Sequence, residues 1–170
     1  RSMRRVVASF APAIRDAIRR FLALFRTEPD LVYVDNGKIY PCRAALAAAV
    51  RLLHLDARAE ETLLRVLHRR EQLGSTGMGR GIAIPHCRSL VVPRLRMAYA
   101  RLVEPLPWDA IDGKPVHHIF LIVAPPLEVS NQYLPTLGQL AGFAKEPGNL
   151  EKLDLVKTAG EFLELFGPKR

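Results

Sequence analysis

Residues 69–88 read Arg69-Arg70-Glu71-Gln72-Leu73-Gly74-Ser75-Thr76-Gly77-Met78-Gly79-Arg80-Gly81-Ile82-Ala83-Ile84-Pro85-His86-Cys87-Arg88. Charged residues at the end of a helical pattern lead into a glycine-rich loop, and a short apolar strand follows, ending at Pro85 and one histidine. The order is helix, glycines, strand. A dinucleotide-binding fingerprint runs the other way, from strand through glycines into helix. A Walker A loop needs Gly-Lys-Ser/Thr after its last glycine, whereas Gly81 is followed by Ile82. A tight structural turn ending at a buried histidine is one reading of this spacing. The other is chemical. An imidazole with an ordinary pKa near 6.5 is largely a neutral nucleophile at pH 7. Phosphoryl transfer asks a protein mainly for positioning and for stabilisation of charge on the phosphoryl oxygens. Glycine-rich backbone N–H groups can provide that stabilisation, and an arginine adds a fixed fork of donors. Pro85 restricts Ile84 and so helps to aim His86. The parts are then His86 as acceptor, an arginine of the segment as cation, and Gly74, Ser75, Thr76, Gly77, Gly79 and Gly81 as a phosphate cradle.

Outward from this segment, strands and helices alternate. Leu31–Val34 and Lys38–Tyr40 flank Asp35-Asn36-Gly37, a hairpin signal. Helical patterns cover Ala44–Leu55, Glu60–Arg70 and Asn131–Lys145, with one or two more in Leu150–Leu165. Strands are expected at Ile82–Ile84, Arg96–Val103 and Val116–Val123. The class is α/β or α+β, a mixed sheet covered by helices. With 170 residues, 49% apolar and 25% charged, the chain is long enough for a real core and is not compositionally disordered.

The net charge is +8, and half of it lies in the first thirty residues, where seven arginines face three acidic residues. Residues 9–26 place Phe10, Ile14, Ile18, Phe21, Leu22 and Phe25 on one helical face, with Arg15, Arg19 and Arg26 mostly opposite. Such a helix packs on the domain or on a second copy in a homo-oligomer; alternatively it lies on a membrane surface. Nucleic acid is not the partner that this pattern favours. Two distant cysteines, Cys42 and Cys87, make neither a disulfide framework nor a metal motif, and a thiol beside the candidate histidine points to the cytoplasm. No apolar run reaches the roughly 18 residues of a membrane span, and no secretory leader is evident.

His117 and His118 alternate faces on a strand and cannot share a metal ion; one of them is placed to approach the sheet end near His86, or both are strand-edge residues. Glu71 is placed to orient or pair with Arg70. Trp108 plugs the core. Arg80 and Arg88 flank the loop as solvated surface or as contacts for an acidic partner.

The segment from Arg70-Glu71 through Gly-Ser-Thr-Gly-Met-Gly-Arg-Gly-Ile-Ala-Ile-Pro-His resembles the signature of enzyme IIA domains of the fructose/mannitol/nitrogen-regulatory class, from the bacterial phosphoenolpyruvate-dependent phosphotransferase system. Pro105-Leu-Pro-Trp-Asp-Ala-Ile-Asp-Gly-Lys-Pro-Val116 matches the nitrogen-regulatory branch most closely. The resemblance covers about residues 31–166. It implies a mixed sheet flanked by helices, a IIA domain over 31–170 and an added basic helix over 1–28. It also implies that His86 takes phosphate from the phosphohistidine of an HPr-type carrier, assisted by Arg70, with Thr76 and the loop backbone where the phosphate sits. No metal or cofactor is implied. Nitrogen-regulatory members control partner proteins, transporters among them, through their phosphorylation state. Where the family has a second histidine near the first, this chain has Tyr133, whose hydroxyl can donate a hydrogen bond but cannot carry an imidazolium charge. Two further readings stand beside this one. One is a non-catalytic binding module of the same fold, such as the cytosolic domain of a membrane transporter. The other is a fructose-type IIA that passes phosphate to an enzyme IIB.

Overall fold

The computed structural model describes residues 32–35, 38–41, 43–127 and 131–166. The basic helix expected at 9–26 lies outside them. Strands β1 (Val32–Asp35) and β2 (Lys38–Pro41) pair antiparallel, with Asp35 opposite Lys38, as the turn signal between them predicts. Helix α1 (Arg43–Arg51) and helix α2 (Ala57–Leu73) follow. Asp56 starts α2 by accepting the Ala59 N–H at 2.9 Å, the bond an N-cap carboxylate makes to an otherwise orphan donor. Leu63, Leu64, Leu67 and Glu71 form its buried stripe.

The main sheet is built around β7 (Val116–Ala124), which is buried on both faces and almost wholly apolar, as an interior strand covered on both sides must be. β6 (Arg96–Leu106) lies antiparallel along one edge of it, from Arg96 opposite Val123 to Leu106 opposite Val116. Along the other edge, β4 (Ile82–Ala83) and β5 (His86–Arg88) run parallel to β7 in one unbroken register: Ile82 faces His118 and His86 faces Ile122. Pro85 interrupts the labelled strand but keeps the line, because its carbonyl accepts the Ile122 N–H at 3.0 Å. The expected single strand is therefore present and extends through His86 to Arg88. β3 (Gly77–Gly79) pairs antiparallel with β4, so part of the expected loop is an edge strand.

Alternation then sorts the side chains. Ala83 and Cys87 join Ile119, Leu121 and Val123 in a core with α1 and α2. Ile82, Ile84, Phe120 and Ile122 pack on the opposite side with Tyr133, Leu140 and Ala144 of α3 (Tyr133–Lys145), Leu153 of α4 (Asn149–Leu155) and Phe162 of α5 (Ala159–Phe166). Residues 82, 84, 86 and 88 share one face because strand side chains repeat every two residues. Trp108 is buried as expected, and so is Cys87, whose thiol is pushed up to about 12 by burial and is inert at neutral pH.

His117 and His118 take opposite directions, as expected, but neither serves the His86 end of the sheet. His118 pairs with Ile82, four residues from the His86 register position along β7. It is buried. Its Nδ1 accepts from the Tyr99 hydroxyl (3.0 Å), and its Nε2 lies 3.2 Å from Asp154 Oδ1. Arg101, from the neighbouring strand, donates to the carbonyls of Leu153 and Asp154. Burial lowers the His118 pKa to about 4, against the opposing pull of Asp154 and with help from His117 and Arg101. In the unfolded chain the same imidazole titrates near 6.5. The unfolded state thus binds more protons between these values, and folding stability falls as pH drops from about 6.5 to 4, by on the order of 3 kcal/mol for this residue. Urea unfolding at several pH values should show this slope, and His118→Gln should flatten it. An unchanged slope in the variant would assign the acid sensitivity elsewhere.

Candidate phosphoacceptor site

His86 is half-buried on β5. Its Nδ1 lies 2.6 Å from the carbonyl oxygen of Ile84. A carbonyl only accepts, so Nδ1 carries the proton and the lone pair is on Nε2. Pro85 closes this two-residue link at its centre. Burial holds the imidazole below its ordinary pKa, and the Arg70 charge adds to that; the Ile84 bond and Glu71 pull the other way. His86 is thus a neutral imidazole with a defined nucleophilic nitrogen at neutral pH.

Arg70 leaves the last turn of α2 and donates to the Gly74 carbonyl at 2.8 Å, which places its charge in the field of His86. Tyr133, the first residue of α3, brings its ring centroid to 6.2 Å from that of His86. The sequence-derived trio of His86, Arg70 and Tyr133 is therefore gathered in one place, at the N-terminal end of a helix, where the dipole favours an anion.

The glycine segment is not one cradle. Gly74, Ser75 and Thr76 pass beside the histidine strand, with the Ile84 N–H donating to the Thr76 carbonyl at 3.0 Å. Their donors are largely committed. The Thr76 N–H and hydroxyl both go to Glu71, at 2.8 and 2.6 Å, and the Thr76 side chain is buried. The Gly77 N–H goes to Ser75 Oγ at 3.0 Å, and the Gly74 N–H to the Glu71 carbonyl at 3.2 Å. Thr76 therefore cannot present its hydroxyl proton or amide to a phosphate while these bonds stand. Gly77, Gly79 and Gly81 belong to the β3–β4 hairpin, which points away from His86. Gly81 is five residues from His86 along an extended strand, roughly 16 Å. Gly79 and Gly81 are needed for the turn itself, with φ of 85° and 79°. Asp112 braces that turn by accepting the N–H groups of Arg80 (2.8 Å) and Lys114 (3.0 Å), which hold its carboxyl below the usual range. Arg80 is not a solvated contact either. Its guanidinium donates to the Ala144 and Lys145 carbonyls and so caps the C-terminus of α3.

Glu71 turns away from Arg70. Its carboxylate is buried and accepts three donors: the Thr76 N–H, the Thr76 hydroxyl and Trp108 Nε1–H at 2.9 Å. This group joins α2, the loop and the 108–114 segment. Position alone signals its burial, though not its partners. Glu71 falls four residues after Leu67 on the apolar stripe of α2, where a carboxylate must find partners or be expelled. Among the described residues, no cluster of three or more His, Cys, Asp or Glu side chains is placed to hold a metal ion, and no helix is long and apolar enough to cross a membrane.

Comparison with known proteins gives the same picture. Residues 27–167 match the family described as "Phosphoenolpyruvate-dependent sugar phosphotransferase system, EIIA 2". A nitrogen regulatory protein of Bradyrhizobium diazoefficiens is 31% identical over 111 residues, 65% of this chain and 72% of that one. The crystal structure of nitrogen regulatory protein IIA-Ntr from Neisseria meningitidis superposes with a TM-score of 0.67 at 32% identity, covering 76% of this chain and 89% of that one. Enzyme IIA mannitol of Escherichia coli, in its complex with phosphorylated enzyme IIB, shares the fold at 18% identity and a TM-score of 0.57, over 75% and 88% of the two chains. The helix-flanked mixed sheet and the family match agree: the chain belongs to the EIIA 2 family of the phosphoenolpyruvate-dependent sugar phosphotransferase system.

Proposed function

We propose that this chain is a nitrogen-regulatory-type phosphotransfer protein that takes a phosphoryl group onto His86 Nε2 from the phosphohistidine of an HPr-type carrier. Its phosphorylation state then sets its affinity for a regulated partner protein. The observation that carries this reading is the 2.6 Å bond from His86 Nδ1 to the Ile84 carbonyl. It leaves Nε2 as the bare nitrogen, and it can strengthen as positive charge builds on the ring. In the transfer, the Nε2 lone pair attacks phosphorus, the Nε2–P bond forms, and the P–N bond to the donor imidazole breaks with its electron pair leaving on the donor nitrogen. The Nδ1 proton stays on His86 and stabilises the imidazolium-like product. Arg70 offsets the charge on the phosphoryl oxygens.

The role suits a cytoplasmic domain spanning residues 31–170. The basic stretch 1–28 is an accessory segment suited to a membrane surface or a second copy. Tyr133, at the family's second-histidine position, favours regulation over onward delivery to a sugar-specific IIB. It also motivates the second reading, a binding module that takes up little phosphate.

Intact-mass spectrometry after incubation with enzyme I, HPr and phosphoenolpyruvate tests the choice, with His86→Ala in parallel. One phosphoryl group is expected on the wild type and none on the variant. No gain in folded wild type, with both general and nitrogen-branch carriers tried, leaves the binding module. Because the His86 pKa lies below 6.5, the uptake rate should stay level from alkaline pH down to about 6.5 and fall only in more acidic solution. A fall beginning above pH 7 would contradict the lowered pKa.

A further inference from the structure

We infer that Arg88 is the second cation of the phosphate site and that Tyr133 is the platform that holds it there. The inference rests on the reading of His86 as the phosphoacceptor and adds a residue to it. His86 and Arg88 lie two residues apart on β5, so their side chains leave the same face of the sheet, with Cα atoms roughly 6.5 Å apart. Cys87, between them, points into the opposite core.

Arg88 is exposed, and an exposed arginine normally samples many rotamers. Here two contacts restrain it. Its Cζ lies 4.4 Å from the centroid of the Tyr133 ring, a cation–π geometry, and its Nη1 donates to the Pro125 carbonyl at 2.9 Å. Guanidinium has five N–H donors in a rigid fork, so the Pro125 bond leaves most of them for an anion. The same Tyr133 ring stands 6.2 Å from the His86 ring. Burial raises the pKa of the Tyr133 phenol, and the charges of Arg88 and Arg70 oppose that rise. Arg88 therefore stands over this ring from the strand, while Arg70, held at the Gly74 carbonyl at the end of α2, acts on His86 from the other element.

This arrangement gives Tyr133 a different task from that of a substitute hydrogen-bond donor. Its aromatic face positions Arg88, and Arg88 supplies the charge. Unlike an imidazolium, a guanidinium keeps that charge across the whole neutral and alkaline range. With the Gly74, Thr76 and Gly77 amides committed within the loop, phosphate stabilisation falls chiefly to two arginines rather than to a backbone nest.

The test uses the whole chain and two donors, phosphorylated HPr and phosphoramidate. With phosphoramidate, the Nε2–P bond forms as the P–N bond breaks and ammonia leaves, so no protein interface is involved. Phosphorylation of His86 is followed by intact mass, and thermal unfolding checks each variant's fold. Arg88→Ala should slow uptake from both donors by about tenfold to a hundredfold, the scale of losing one charge-stabilising donor. Arg88→Lys should recover part of this. Tyr133→Leu should lose nearly as much as Arg88→Ala, Tyr133→Phe should restore what Tyr133→Leu loses, and the Tyr133→Leu/Arg88→Ala double variant should lose no more than Arg88→Ala alone. Folded Arg88→Ala within twofold of wild type for phosphoramidate overturns the inference while leaving the acceptor role of His86 intact. A slow Tyr133→Phe overturns the platform role and assigns the effect to the hydroxyl. Loss with HPr but not with phosphoramidate makes Arg88 a docking residue and also overturns it. Wild type that takes phosphate from neither donor removes the acceptor reading and this inference together.

Discussion

Glu71→Ala is expected to cost about 3–5 kcal/mol of stability, enough to unfold the protein or leave it marginal. The change removes the acceptor for three buried donors at once: the Thr76 amide, the Thr76 hydroxyl and the Trp108 indole N–H. A buried donor left without a partner costs about 1–3 kcal/mol, and a cavity adds to that. Glu71→Gln should be far milder, about 1 kcal/mol. One amide oxygen can keep the position of Oε1, which serves both N–H donors, while the Thr76 hydroxyl rotates to accept from the new NH2 group. Urea unfolding followed through Trp108, the single tryptophan, measures both. Because the same carboxylate sets the path of Gly74–Thr76 beside Ile84, phosphate uptake by Glu71→Ala should fall under conditions where it remains folded. Alanine and glutamine variants of equal stability would contradict this account.

The second large effect is at Gly77. A Cβ there would lie 2.7 Å from the Ala110 Cα, 2.8 Å from the Ala110 Cβ and 3.0 Å from Trp108 Cδ1. Backbone cannot yield as a flexible side chain does, so Gly77→Ala must push β3 off the 108–111 segment. It would strain the Ile111 N–H bond to the Gly77 carbonyl, 3.2 Å in the native protein. The expected loss is about 2–4 kcal/mol, at the upper end of overpacking effects. Gly138, within α3, has nothing within 4 Å of its would-be Cβ. Gly138→Ala should instead stabilise by about 0.5–1 kcal/mol through helix propensity. The pair of melting curves should move in opposite directions. A neutral Gly77→Ala would mean that the β3 packing is looser than these contacts require.

Much of the chain can be read locally because the signals are local. The apolar run of β7, the stripe of Leu63, Leu64 and Leu67 on α2, and the hairpin around residues 35–38 each state their own periodicity. The family signature around His86, Arg70 and Tyr133 is specific enough to bring those three residues to one site before any coordinates are known. The sequence presents the glycine segment as a single phosphate cradle, whereas the structure divides it between a bonded loop and a hairpin, since glycine marks a backbone need without saying which. Gly79 and Gly81 answer to a turn braced by Asp112, more than thirty residues away, and Gly77 to contact with Ala110. The helix-capping role of Arg80 and the Tyr99–His118–Asp154 cluster likewise depend on partners from distant elements.

Composition, periodicity and one motif determined the class of fold, the helix and strand order, and the histidine proposed here as phosphoacceptor, because these are properties of short contiguous stretches. Only the tertiary structure decided which donors are spent inside the protein, that Glu71 is a buried brace, and that Arg88 stacks on Tyr133 beside His86. A hydrogen-bond donor or a charge acquires its role from whatever the folded chain places within a few ångströms of it, and sequence spacing does not record that distance.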